Sequence, residues 1–409
     1  MNRRQFLIQS SLFSTSSLIG IGTHGWAARS IAASNPNPHR LIVVFLRGAI
    51  DGLSVVIPYQ EPTYYTDRPT ISIPQPGQTN GALDLDGQFG LHPALANLLP
   101  LWQQKSLAFV HASGSHDDTR SHFDAQDYLE SGTPGVKTTR DGWLNRLLGV
   151  MSDKNPIQAV SVGATTPRIL LGKRAVANLA SGRSAGNRMQ IDRPQIATAF
   201  DRLYSSNDAL SRVYREGRVA RTELLKDLDA ETKIANNGAT LPNGFTGDAQ
   251  RLARLMARDP RIQVSFLAVG GWDTHINQGA SQGQLARNLE QLSKGLVALQ
   301  TGLGAAYQQT TIVVMSEFGR TVKENGNGGT DHGHGNVMWL LGGGIRGGKV
   351  YGKWAGLEPA QRDRGRDLAI TTDFRDVLGT IITRQLAVDK TQLQQVFPTY
   401  AGQMLDFTT

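Results

Sequence analysis

Apolar runs that end in glycine-rich turns alternate along the chain with stretches of helical period. Arg40–Leu46 (RLIVVFL) is apolar almost throughout, the pattern of a central parallel strand covered on both faces. Leu107–His111, Ala159–Val162, Ile262–Val269, Ile312–Met315 and Val337–Leu341 predict further buried strands. Helical spacing marks Pro93–Gln103, Phe123–Glu130, Trp143–Val150, Pro194–Asp229 and Ala249–Arg258. Leu285, Leu289, Leu292, Leu296 and Leu299 make the apolar stripe of a core-facing helix. Thr371–Leu386 closes the pattern as a helix, with Thr372 placed to cap it. Pro58–Phe89 reads as an irregular excursion, Gly172–Arg193 as a polar stretch of little pattern and Asn236–Gly247 as a linker. Strands alternating with helices predict a doubly wound α/β sheet, here as a single domain over residues 40–409.

The first 33 residues stand apart. Asn2-Arg3-Arg4-Gln5-Phe6-Leu7 fits the twin-arginine export pattern, a weakly apolar segment Leu7–Ile21 follows, and small residues from Ala27 offer cleavage near Ser30–Ala33. The segment is too short and serine-rich for a stable membrane span, and nothing later reads as one. The expectation is a signal peptide over residues 1–33, the twin-arginine translocase as partner, and a periplasmic or extracellular destination.

Composition narrows the chemistry. The formal net charge of +8 falls to +5 without Arg3, Arg4 and Arg29, and no basic run with interleaved aromatics suggests nucleic acid. Cysteine is absent, which excludes disulfides, thiolate nucleophiles and thiolate metal ligands. Any metal must be held by Asp, Glu, His or water.

Acids and imidazoles gather where predicted strands end, which is where open α/β sheets collect ligands. Asp51 lies between glycines after the first strand. Gly270-Gly271-Trp272-Asp273-Thr274-His275 follows another, and Asp-x-His lets two ligands of one turn face one ion. Glu317 leaves the Ile312–Met315 strand, and Asp331, His332 and His334 arrive after a Gly/Asn loop that can form no core. Of nine histidines, six lie in three short stretches: His111, His116 and His122; His275; His332 and His334. A divalent ion is expected, with Asp273, His275, Asp331 and His334 as its foremost ligands; Zn, Mn, Fe, Mg and Ca stay open. Thr119, Arg120 and Ser121 sit at a predicted helix N-terminus, where free amides favour anions.

Taken together, the acid after the first strand, the hydroxyl residue opening a helix, Asp-x-His, the late acid and the terminal histidines resemble the alkaline phosphatase and sulfatase superfamily. SHFDAQDYLESG, GGWDTH, SEFGRT and TDHGHGN resemble more closely an exported bacterial branch, domain of unknown function 1501, over roughly Arg40 to Leu386. The resemblance implies an alkaline-phosphatase-like, mostly parallel sheet flanked by helices, carrying divalent metals. Asp51 would be the first ligand, and Asp273 with His275 a second group. Glu317 stands where the family has the Asp of an Asp-His pair and Phe318 where its His would be; a phenyl ring cannot ligate. Asp331, His332 or His334 are then open to substitute. Ser121 matches the nucleophile, with Thr119 as runner-up, and Arg120 and Arg320 are candidates to bind an anionic ester. The implied function is hydrolysis of phosphate or sulfate esters. A formylglycine derived from Cys is excluded, whereas one derived from Ser stays open. The alternative is a non-catalytic metal-binding or assembly protein that retains the fold.

Overall fold

The structure, a computed structural model, describes residues 38–151, 157–163, 165–179, 236–400 and 402–409, with isolated positions between 198 and 211. The leader read over residues 1–33 lies outside the described residues, and so do most of the helix read over Pro194–Asp229 and part of the Gly172–Arg193 stretch.

Strand β1 (Arg40–Leu46) shows why an unbroken apolar run is needed at the middle of this sheet. Ile42, Val44 and Leu46 enter one hydrophobic cluster and Leu41, Val43 and Phe45 the other, so neither face meets water. The remaining strands of the main sheet are β2 (Leu107–Gly114), β3 (Ala159–Val162), β4 (Ala177–Leu179), β5 (Val264–Val269), β6 (Thr310–Ser316), β7 (Asn336–Gly342), β8 (Lys349–Tyr351) and β9 (Thr372–Asp373). Their order is β8-β2-β7-β6-β1-β5-β3-β4, with β9 also on β2. All pairings are parallel except those of β7, which runs antiparallel to both β6 and β2.

One face is covered by α3 (Pro242–Arg258) and α4 (Gln284–Leu303), whose leucine stripe faces the sheet as its spacing predicts, together with the helical turns Pro93–Leu98 and Leu99–Gln103. The opposite face packs α2 (Trp143–Val150), α5 (Phe374–Gln385) and α6 (Lys390–Val396). Helix α1 (His122–Ser131) follows β2 in the chain and adds Leu129 to the same cluster. A three-stranded sheet of Val56–Ile57, Leu83–Asp84 and Gly90–Leu91 gives order to part of the predicted irregular excursion.

Three local expectations differ. The linker read over Asn236–Gly247 gives way to α3, which a proline in its first turn starts at Pro242. The last predicted helix begins two residues later than Thr372, because the Asp373 carboxylate takes the Arg375 amide and is the actual cap. Helix α6, opened by a capping box from Asp389 to Gln392, is an addition.

Register decides where chemistry can gather. Leu46 pairs with Val269 on one side and Ser316 on the other, so β1, β5 and β6 end level. Antiparallel β7 begins at that same edge, with Asn336 opposite Ser113 near the end of β2. Five elements therefore deliver their loops to one carboxyl edge.

Candidate metal centre at the carboxyl edge of the sheet

Close backbone approach builds the frame. After β1, Gly48 adopts φ +112° and passes so near the next loop that a Cβ there would lie 2.7 Å from the Asp273 nitrogen. Gly333 is pressed against Arg320 in the same way, with a Cβ position 2.3 Å from its carbonyl carbon. Only glycine permits such contacts without displacing the neighbour.

Asp273, from the loop after β5, lies at the middle. Its Oδ1 accepts from Arg320 Nη2 at 2.6 Å and lies 3.0 Å from His275 Nε2. His122 Nε2 and His332 Nε2 each stand 3.6 Å from the same oxygen. Among the described residues the second oxygen, Oδ2, is buried with no hydrogen-bond partner, and so is His122 Nε2. Ligand atoms of His122, Asp273 and His332 all fall within 4.8 Å of one another.

The other ring nitrogens determine what these atoms can be. His122 Nδ1 meets Glu317 Oε1 at 2.8 Å, His332 Nδ1 meets the Arg120 carbonyl at 2.8 Å, and His275 Nδ1 meets Asp331 Oδ1 at 3.3 Å. Each partner is an oxygen that only accepts, so each Nδ1 carries the proton. In the neutral form of each ring Nε2 is then a lone pair, and for His122, which Asp273 and Glu317 hold toward the charged form, a bound cation would take the place of the second proton. The Nε2 atoms of His275 and His332 face one another across 3.0 Å, beside the anionic oxygen of Asp273. Converging lone pairs repel unless a cation lies among them, and outward hydrogen bonds to acceptors are how metal-ligating histidines are held. The donor set of imidazole nitrogen and carboxylate oxygen fits a divalent ion such as Zn²⁺, Mn²⁺ or Fe²⁺.

Electrostatics agree with the geometry. Burial opposes ionisation of Asp273, but His122, His275, His332 and Arg320 outweigh it and hold its carboxyl far below the usual range. Burial would lower His122, yet Asp273 and Glu317 raise it to about 9, so the position attracts a positive charge. Glu317 is likewise buried, and its bonds from His122 and Gln126 bring it down to about 2.

A polar stripe on α1 supports the ring of His122. His122, Gln126 and Glu130 follow at intervals of four on one buried face. Gln126 donates to Glu317 at 2.9 Å, and Glu130 pairs with Arg47 at 2.6 Å. Phe318 lies flat under this group, its ring centroid 4.9 Å from His122 and 5.0 Å from His332. The phenyl ring at position 318 is therefore a floor, and an imidazole reaches the centre from α1 instead. His122 was not among the expected ligands. The four-residue spacing of His122, Gln126 and Glu130, which starts one residue before the predicted helix Phe123–Glu130, is the signal that could have marked it.

The other expected residues divide. His275 and His332 join the centre, and Asp331 orients His275 from an exposed position. Glu317 makes no approach of its own. Its oxygens are taken by Gly48, His122, Gln126 and Ser316, and it acts by holding His122. Asp51 does not reach the group. It is fully buried in a fork with Arg68 at 2.6 and 3.0 Å and also accepts from Ser54 and Gln278. His334 is also placed elsewhere, with Nδ1 on Asp363 and Nε2 on the Asp117 carbonyl. Arg320 is buried, and it donates to Asp273 and to the carbonyls of Gly48, Ala49 and Thr330. It fixes the centre and is not open to a substrate. Ser121 is the exposed N-cap of α1, but its side chain makes no cap hydrogen bond. Thr119 Oγ1 accepts from the Ser121 amide at 3.2 Å. Arg120 is partly exposed and paired with Asp367. Of the clustered histidines, His116 is exposed, and His111 is core, bonded to the Val56 carbonyl and the Ala112 amide.

The family model for Protein of unknown function (DUF1501) matches residues 38–397, and the chain belongs to that family. No curated protein matches the sequence. Solved structures similar to it include Ps i-CgsB in complex with k-i-k-neocarrahexaose, at 12% identity and a TM-score of 0.40 over 87% of this chain and 74% of that one. A putative sulfatase from Bacteroides thetaiotaomicron gives 11% and 0.42 over 90% and 76%. The periplasmic domain of EptC from Escherichia coli gives 11% and 0.39 over 90% and 88%. At these identities and scores the likenesses carry no argument about chemistry, which rests on the atoms of the site.

Proposed function

We propose that this protein is an exported, metal-dependent hydrolase of phosphate or sulfate esters. His122, Asp273 and His332 would hold the ion, with His275 beside them. The observation that carries the reading is the convergence of imidazole lone pairs on a buried carboxylate whose second oxygen is unspent. A bound divalent ion would supply positive charge to an ester oxygen and to the group that attacks it. The chain's own contribution is positioning. Arg320 fixes Asp273, Glu317 fixes His122, and the Arg120 carbonyl fixes His332. Ser121 precedes His122 directly and has an exposed hydroxyl that is not spent on capping, which suits a nucleophile or a proton donor. The twin-arginine pattern supports export of the folded protein by the translocase. Among the described residues no helix is long and apolar enough to cross a membrane.

The second reading, a non-catalytic metal-binding or assembly protein, is favoured by Asp51. Its charge is neutralised by Arg68, so it offers nothing to a second ion. One experiment separates the two. The protein purified without chelator is analysed for metals and then offered aryl phosphates, phosphodiesters and aryl sulfates with Zn²⁺ or Mn²⁺. Turnover that Asp273→Ala abolishes supports the hydrolase. Metal content without turnover on any ester supports the alternative. Absence of both overturns the assignment of the centre.

A further inference from the structure

Two arginines and one buried acid lie beside His332 in an arrangement that the proposed hydrolysis does not use. Asp367 has a fully buried side chain and pairs with both Arg120, at 2.7 Å, and Arg366, at 2.9 Å. Both arginine residues also touch His332. The His332 ring donates to the Arg120 carbonyl, and Arg366 Nη2 donates to the His332 carbonyl at 2.6 Å. One negative charge thus braces two positive ones, leaving an excess of +1 within a residue's reach of the centre. The two arginine side chains are 34% and 44% exposed, while the acid between them is closed off from solvent. Among the described residues the Arg120 guanidinium makes its hydrogen bond through Nη2 alone, which leaves the Nε–H and Nη1–H groups as further donors.

A surface arginine normally loses the entropy of a long side chain when it binds a ligand. Here a carboxylate that solvent cannot reach has already fixed both forks. Planar guanidiniums with spare N–H groups match the oxygens of a tetrahedral oxyanion better than a lysine does. We infer that Arg120 and Arg366, braced on Asp367, form an anion clamp at the mouth of the centre that takes the phosphate or sulfate group of the substrate. This deepens the hydrolase reading and rests on it for the identity of the substrate, but binding can be tested without turnover.

Inorganic phosphate and inorganic sulfate are titrated calorimetrically, in separate arms, into the protein as purified and into Arg120→Gln and Arg366→Gln. Metal content and thermal midpoint are measured on each sample. Loss of one charge-assisted contact predicts about tenfold weaker anion binding in each variant at unchanged metal content. The tighter arm identifies which ester the clamp favours. Should a glutamine variant lose its fold, the matching Arg→Lys variant, which keeps the charge without the fork, is expected to retain only part of the affinity. Equal affinity in wild type and variants, or no binding of either anion to wild type, overturns the clamp. Weakened binding in the variants with no ester turned over leaves the clamp standing and removes the hydrolase reading. Turnover in a protein whose variants bind anions equally does the reverse.

Discussion

Asp51 and Asp273 follow neighbouring parallel strands, both are buried, and both face an arginine, yet they are opposite in kind. Both oxygens of Asp51 have an address: the Arg68 fork takes the two of them, and Ser54 and Gln278 add to one. Asp273 gives one oxygen to Arg320 and, among the described residues, leaves the other buried without a partner, amid three imidazoles whose Nδ1 atoms are held by oxygen acceptors. Burial and charge are common to the two sites; completeness of hydrogen bonding separates them. A closed group stabilises a fold, whereas an open one is kept for a ligand.

The comparison is tested hardest by breaking the closed pair. Asp51→Ala leaves the Arg68 guanidinium buried without its counter-charge, for which a cost of about 3–5 kcal/mol is expected. Urea unfolding would measure it. A loss under about 1 kcal/mol would mean that Asp51 is no structural anchor. The variant should disturb the centre as well, since Gln278 takes the hydroxyls of Thr274 and Thr330 and so ties both ligand loops to Asp51.

The open site answers to a different perturbation. A native-state ion present at about a hundred times its dissociation constant adds about 2.7 kcal/mol, so a chelator should lower the thermal midpoint of wild type. Asp273→Asn should abolish that sensitivity while keeping an oxygen for Arg320. A chelator-insensitive wild type would break the contrast between the two sites.

How far the sequence reveals this contrast depends on distance along the chain. The apolar runs located the strands closely, and Asp-x-His located half of the centre, because those signals are local. Arg68 lies 17 residues beyond Asp51 in a stretch without period, so nothing local warned that the carboxylate was already paired. His122 meets Glu317 across 195 positions, a neighbourhood created only by strand register. The reversal of β7 is equally hidden, since a strand buried on both faces reads the same in either direction.

The histidines extend the comparison to pH. His92 and His111 are closed at both nitrogens, and burial lowers each to about 4. The unfolded value is about 6.5. As pH falls, the unfolded chain therefore binds protons first. Stability from these rings is complete above about 6.5 and is lost progressively down to about 4. By pH 5.5 each should have cost about 1 kcal/mol. Urea midpoints of chelator-treated wild type and His111→Gln at pH 7 and 5.5 isolate one ring, and the variant should show the shallower fall. Equal slopes would show that His111 takes up its proton without opening the core.

The smallest effect distinguishes two helix starts. Asp373 accepts the Arg375 amide at 2.8 Å, and Asp373→Ala should cost about 1 kcal/mol, as lost caps do. Ser121 holds the same position on α1 with no such bond, so Ser121→Ala should change stability by less than about 0.5 kcal/mol. A hydroxyl at a cap position that does not cap is the counterpart, among neutral groups, of the unspent Asp273 oxygen. If Ser121 is the attacking group, ester turnover falls by orders of magnitude while the unfolding curve of Ser121→Ala overlays wild type. A loss of stability matching that of Asp373→Ala, with turnover retained, would return Ser121 to the ordinary role of a cap and leave Thr119 as the hydroxyl to examine.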